Sequence, residues 1–199
     1  MRKKISKHIA VYSGSFNPVH IGHVQLAEYL TVGGLADEVW FVVSPKNPLK
    51  EQADLLDEHL RMKMLTLAIR ANKRLTASDI EFNMPIPSYT IATLQTLEKN
   101  YPQHHFSLII GSDNALVFDR WKDYRTILQH FPVWVYPRRT YDFGEVADTY
   151  PQMKLVDTPY YDVSSTQIRQ LLKEKKDAGP YLHPDVYRFI LKNELYLTK

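Results

Sequence analysis

Four unbroken apolar runs, each followed by a turn or loop and then a helical pattern, constrain this chain more than any other feature. They are His8-Ile9-Ala10-Val11-Tyr12, Val39-Trp40-Phe41-Val42-Val43, Phe106-Ser107-Leu108-Ile109-Ile110 and Val133-Trp134-Val135-Tyr136. A strand with one wet face alternates apolar and polar residues, whereas one covered on both faces does not. Such runs therefore predict strands sandwiched between helix layers. Helical spacing predicts helices over residues 21–30, 55–71, 90–100, 124–129, 165–175 and 184–193, with a short one at 115–118. Residues 75–82 continue the strand series. Strands interleaved with helices predict an α/β fold, a doubly wound parallel sheet, closed by a C-terminal helical segment from residue 164 on. In such sheets ligands lie beyond the carboxyl ends of the strands, so the loops after strands one, two and four are where chemistry is expected.

With 199 residues, 44% hydrophobic and 24% charged, the chain is expected to fold as one domain, without repeats, low-complexity tracts or long linkers. No stretch approaches the roughly 18 consecutive apolar residues of a membrane span, and no apolar h-region follows Met1-Arg2-Lys3-Lys4, so a cytoplasmic location is expected. The absence of cysteine removes disulfides, thiolate chemistry and Cys-ligated zinc. A formal charge of +3 with scattered basic residues disfavours a nucleic-acid surface and suits a small anionic ligand. Oligomeric state is left open, a homo-oligomer included.

Two segments carry candidate chemistry. After the first strand stands Ser13-Gly14-Ser15-Phe16-Asn17-Pro18-Val19-His20-Ile21-Gly22-His23. Gly14 permits a tight turn, Asn17-Pro18 starts another, and His20 and His23 fall on one face of a helix start. Free N–H groups and the positive dipole end favour phosphate there. A zinc reading of the two histidines lacks a third ligand at helical spacing other than Glu28. The second segment, Ser164-Ser165-Thr166-Gln167-Ile168-Arg169, opens another helix, where hydroxyls, main-chain N–H groups and a guanidinium can converge on a polyphosphate. Each segment alone would also suit an ordinary capped helix.

The first segment resembles the T/H-x-G-H signature of the nucleotidyltransferase superfamily in its adenylyltransferase form, G-T-F-D/N-P-x-H-x-G-H, departing from it at Ser13 and Ser15. The second resembles the I-S-S-T-x-I-R motif of the nicotinate and nicotinamide mononucleotide adenylyltransferases. Further segments lie in the order of the bacterial nicotinate mononucleotide family: Pro85-Ile86-Pro87-Ser88-Tyr89-Thr90, Gly111-Ser112-Asp113, Trp121, and Arg138 after the fourth apolar run. The loop from Ser44 to Lys50 keeps the prolines and final lysine of P-x-x-P-H-K, but has Leu49 where histidine is common. Trp40 and Trp134 are expected in the core.

The resemblance implies a Rossmann-like nucleotidyltransferase fold and transfer of AMP from ATP, with Mg²⁺, to nicotinate mononucleotide, releasing pyrophosphate. It implies that His20 and His23 are catalytic. Gly14, Ser15, Phe16, His20, Gly22, His23, Gly111, Asp113, Ser164, Ser165, Thr166 and Arg169 would hold ATP. Lys46 and Lys50 would contact phosphate, and Thr90, Trp121 and Arg138 would bind the acceptor. The rival readings are transfer to nicotinamide mononucleotide or phosphopantetheine, and a regulator that binds nucleotide without turnover. Class I aminoacyl-tRNA synthetases share His-x-Gly-His, but they are far longer and carry a lysine-rich loop absent here.

Overall fold

Each apolar run forms a strand whose alternate side chains enter two different cores. In the computed structural model, which describes residues 5–46, 54–139, 141 and 143–197, the strands are β1 (His8–Gly14), β2 (Glu38–Val43), β3 (Leu75–Ser78), β4 (His105–Gly111), β5 (Val133–Tyr136) and β6 (Lys154–Leu155). They pair in parallel in the order β3-β2-β1-β4-β5-β6, the doubly wound arrangement. Ala10, Tyr12, Phe41, Val43 and Tyr136 face one layer, and Ile9, Val11, Val42, Ile110 and Val135 the other.

The first layer holds α1 (Ile21–Val32), α2 (Glu58–Ile69), α7 (Ser165–Lys173) and α8 (Pro184–Lys192), which bury Leu26, Met64, Ile168 and Val186 among others. The second holds α3 (Thr90–Asn100), α4 (Ser112–Ala115), α5 (Tyr124–His130) and α6 (Phe143–Thr149), burying Leu94, Ala115, Ile127 and Val146. Both faces are thus covered, which is why the runs are unbroken. Trp40 and Trp134 lie in the core as expected. No helix among the described residues is long and apolar enough to cross a membrane.

The structure corrects several boundaries. The expected strand over 75–82 ends at Ser78, and Ile80–Asn83 is a 3-10 turn. The short helix expected at 115–118 lies earlier, as α4, and is followed by a 3-10 turn at Phe118–Arg120. Neither α6 nor β6 was expected. A two-residue strand at the sheet edge is too short to show a pattern, and Lys154 leaves it no apolar run.

The order reverses between β1 and β4. The loops after these two strands therefore diverge and open a crevice at the carboxyl ends.

Candidate active site

At the end of β1 the chain turns sharply. Phe16 takes a left-handed conformation (φ 45°), which folds its ring back under Gly14, where a Cβ would approach Phe16 Cζ to 3.1 Å. The ring is 2% exposed and packs edge-on to Tyr12, Phe41 and His23 at centroid distances of 5.1–5.5 Å. The side chain of Phe16, a residue expected to hold ATP, thus packs against His23, and its main chain is the part left to face a ligand.

His20 caps α1 and His23 lies in its first turn. Their rings stack at 3.6 Å between centroids, with 24° between planes. The His20 main-chain N–H donates to His23 Nδ1 at 3.2 Å, so that nitrogen carries no proton and Nε2 is the donor. His20 Nδ1 is buried and has no hydrogen-bond partner among the described residues. Burial, and then the Arg138 guanidinium, push the His20 pKa down to about 3. Burial, His20 and Arg138 hold His23 well below the ordinary value. Both imidazoles are therefore neutral near pH 7, and are available to a ligand as hydrogen-bonding groups rather than cations.

Gly22 is required by a close approach. A Cβ there would come within 2.8 Å of Val163 Cγ1 and 3.0 Å of Tyr161 Cβ. The segment that leads into α7 thus lies directly on the first turn of α1.

The second motif docks onto the first. Ser164 caps α7 by accepting from Gln167 N at 3.1 Å. Ser165 Oγ donates to Pro18 O at 2.9 Å, and Arg169 Nη1 donates to Asn17 O at the same distance. Arg169 Nη2 reaches Thr166 Oγ1 at 3.4 Å, and Nε is buried without a partner among the described residues. The Ser165 hydroxyl, expected to meet phosphate, is engaged by the neighbouring loop, whereas Arg169 keeps an unused N–H.

Asn17 is the hub. Its Oδ1 accepts from Tyr196 Oη at 2.7 Å and Leu56 N at 3.3 Å, and its Nδ2 donates to Asp54 O at 2.9 Å. Beneath it Arg61, completely buried, donates four hydrogen bonds, all to main-chain carbonyls: Ser15 at 2.7 Å, Ser44 at 2.8 Å, Pro45 at 3.1 Å and Leu56 at 2.8 Å. One guanidinium thereby ties the loops after β1 and β2 together. Neither Arg61 nor the Asn17 side chain was expected at the site. Arg61 falls on the helical face of Met64 and Leu65, and a cation on that apolar stripe was the available signal.

Across the crevice, Gly111 ends β4. A Cβ there would meet Asp113 Oδ1 at 2.3 Å and Arg138 Nε at 3.1 Å, so glycine leaves room for Asp113 and Arg138, 3.7 Å apart, to lie over the end of the strand. Arg138 also donates from Nη2 to Tyr136 Oη at 2.9 Å and lines the same narrow cleft as His20 and His23. Arg138, expected with the acceptor residues, thus stands on the histidine side of the site.

Thr90 opens α3, and Trp121, packed on Phe118 at 5.0 Å, lies against the second core layer with its Nε1 buried and unpartnered among the described residues. Lys46 is exposed in the loop after β2, and Lys50 and Leu49 lie outside the described residues.

This arrangement offers two neutral imidazole donors, two guanidiniums and a helix start around one crevice, a set suited to a polyphosphate. A cytidylyltransferase-like family model matches residues 11–171. A Bacteroides fragilis protein, named as a probable nicotinate-nucleotide adenylyltransferase, is 46% identical over 92% of this chain and 90% of its own length. One from Flavobacterium johnsoniae, with the same name, is 40% identical over 94% and 98%. The Plasmodium falciparum nicotinic acid mononucleotide adenylyltransferase complexed with NaAD shares the fold with a TM-score of 0.82, at 22% identity over 96% of this chain and 97% of that one. With relatives of that identity spanning nearly its whole length, and with the two sequence motifs docked on each other at the end of β1, this chain belongs to the nicotinate-nucleotide adenylyltransferase family.

Proposed function

We propose that the protein transfers the AMP moiety of ATP to nicotinate mononucleotide, forming nicotinate adenine dinucleotide and pyrophosphate, in NAD biosynthesis. The observation that carries this is the docking of Ser165 and Arg169 onto the Asn17-Pro18 turn, which gathers the stacked histidines and a guanidinium with an unused N–H at one helix start.

An oxygen of the acceptor's phosphate attacks the α-phosphorus of ATP, a new P–O bond forms there, and the bond to the β-phosphate oxygen breaks. The attacking phosphate is already ionised, so no protein group need remove a proton. Catalysis is then alignment of the two reactants and stabilisation of the charge that grows on the α-phosphate and the leaving pyrophosphate. His23 Nε2–H and the His20 ring are assigned as donors to the α-phosphate. Arg169, with Thr166, Ser164 and the free N–H groups at the start of α7, serves the terminal phosphates. Gly14, Ser15 and Gly22 supply main chain near the nucleotide, and Gly111, Asp113 and Arg138 bound the far side of that pocket. Lys46 and Lys50 are assigned to phosphate.

Magnesium enters as part of the ATP substrate, on phosphate oxygens and water. Substrates with several phosphate charges do not cross bilayers unaided, and the reaction is assigned to the cytoplasm.

The acceptor's nicotinate ring is assigned to Trp121 and its carboxylate to the main chain around Thr90. A carboxamide there would turn an NH₂ donor toward N–H donors, at a cost of about 1–3 kcal/mol per unpaired group. The test is pyrophosphate release and product chromatography with ATP, Mg²⁺ and a panel of nicotinate mononucleotide, nicotinamide mononucleotide and phosphopantetheine. At least about tenfold preference in kcat/KM for nicotinate mononucleotide is expected, with Trp121→Ala raising KM for the acceptor far more than for ATP. Equal rates with both mononucleotides would reject carboxylate recognition, and absence of pyrophosphate release with all three would reject the transferase.

A further inference from the structure

Glu81 lies in the 3-10 turn after β3, and its carboxylate is buried, with the residue 2% exposed. Three hydroxyls donate to it: Ser88 Oγ to Oε2 at 2.5 Å, Thr93 Oγ1 to Oε1 at 2.8 Å, and Ser13 Oγ to Oε1 at 3.5 Å. A buried carboxylate is costly unless its lone pairs are filled, and short bonds from hydroxyl to carboxylate are among the stronger ones available. The donors come from three separate elements. Ser13 precedes the turn that presents His20, Ser88 belongs to the Pro85–Thr90 segment, and Thr93 sits in the first turn of α3.

We propose that Glu81 is a positioning residue for acceptor recognition: by holding Ser88 and Thr93 against the end of β1, it fixes which way the peptides from Ser88 to Thr90 face. The inference rests on the assignment of the acceptor's carboxylate to that segment. Discrimination between a carboxylate and a carboxamide depends on whether a peptide turns its N–H or its C=O toward the ligand. A segment pinned at Ser88 keeps one orientation. Once released, a peptide can rotate, offer its carbonyl to a carboxamide NH₂, and lose its donor to the carboxylate. Glu81 itself touches no substrate in this scheme, so its signature is a change in acceptor preference rather than in the chemical step.

The experiment compares the unsubstituted protein with Glu81→Gln and Ser88→Ala, measuring KM for ATP, KM for the acceptor, kcat with each mononucleotide, and Tm. Both variants are expected to raise KM for nicotinate mononucleotide at least about fivefold, the equivalent of one net hydrogen bond. KM for ATP should be unchanged, and the preference over nicotinamide mononucleotide should fall by a similar factor. An unchanged acceptor KM and preference would overturn the proposal. So would a joint rise of both KM values with a fall in Tm, which marks a merely structural residue. Where Glu81→Gln does not fold, Ser88→Ala decides, because it leaves the carboxylate in place. Turnover of nicotinate mononucleotide by the unsubstituted protein tests the transferase assignment separately, and its absence removes both.

Discussion

Acid should destabilise this protein through its two stacked imidazoles, and His20 allows the size of the effect to be worked out. Its pKa is about 3 in the folded protein, against an ordinary 6.5, with burial as the first cause and Arg138 as the second. The folded-state value is the lower one, so the unfolded chain takes up the proton first. The stabilising contribution is therefore present above pH 6.5 and is lost as pH falls toward about 3. Each pH unit in that window costs about 1.36 kcal/mol, so at pH 4.5, two units below 6.5, His20 alone removes about 2.7 kcal/mol. That is a large part of the stability of an ordinary domain, about 5–15 kcal/mol. The assay is urea denaturation of the unsubstituted protein and of His20→Asn from pH 7.5 to 4.5. His23, lowered by burial and then by His20, titrates in both proteins and adds a loss of the same sign. The stability difference between the two should shift by about 2.7 kcal/mol in favour of the variant over this range. Parallel stability curves would refute a His20 held neutral by burial, and with it the assignment of the ring as an uncharged donor.

Three further outcomes are expected. His20→Ala should cut kcat by roughly 10²–10³, about 2.7–4 kcal/mol, with ATP binding largely intact, and retention of half the wild-type kcat would remove His20 from the mechanism. Arg169→Ala should weaken ATP in a binding titration and also loosen the Asn17-Pro18 turn that it holds. A loss of stability with unchanged ATP affinity would leave Arg169 a structural tie only. Arg61→Met strands four carbonyls and should destabilise the fold by about 3–5 kcal/mol in chemical denaturation, and a loss below about 1 kcal/mol would mean that the loops hold without it.

The layers of the fold were legible because strands buried on both faces are apolar throughout, and Ile9 to Tyr12 and Val39 to Val43 announce this directly. His20 and His23 were legible because their spacing puts them at one helix start. What they need underneath was not. Glu81 has no cation near it in sequence at a telling spacing, Arg61 follows Glu58 and Asp57 by three and four residues as an exposed helix pair would, and a charge in a turn or on a helix ordinarily faces water. Their burial follows from hydroxyls and carbonyls that only the folded chain brings together, from residues as distant as Ser13 and Thr93 for the one, and Ser15 and Leu56 for the other. The tie made by Ser165 was hidden for the same reason: Pro18 O lies 147 positions away and 2.9 Å distant.

The Asn17 hub has a bearing on how the molecule is made. Its amide is bonded to Tyr196, 179 residues further along, while its carbonyl meets Arg169, 152 residues away. Contacts of such separation close the longest loops a chain of this size can form, and they come late because the entropy of closing them must be met before they return anything. The hydrogen bonds that fix the histidine turn cannot all exist until residue 196 has been synthesised and is free to reach back. A nascent chain therefore makes His20 and His23 well over a hundred residues before it makes Arg169 and Tyr196, which hold their turn in place.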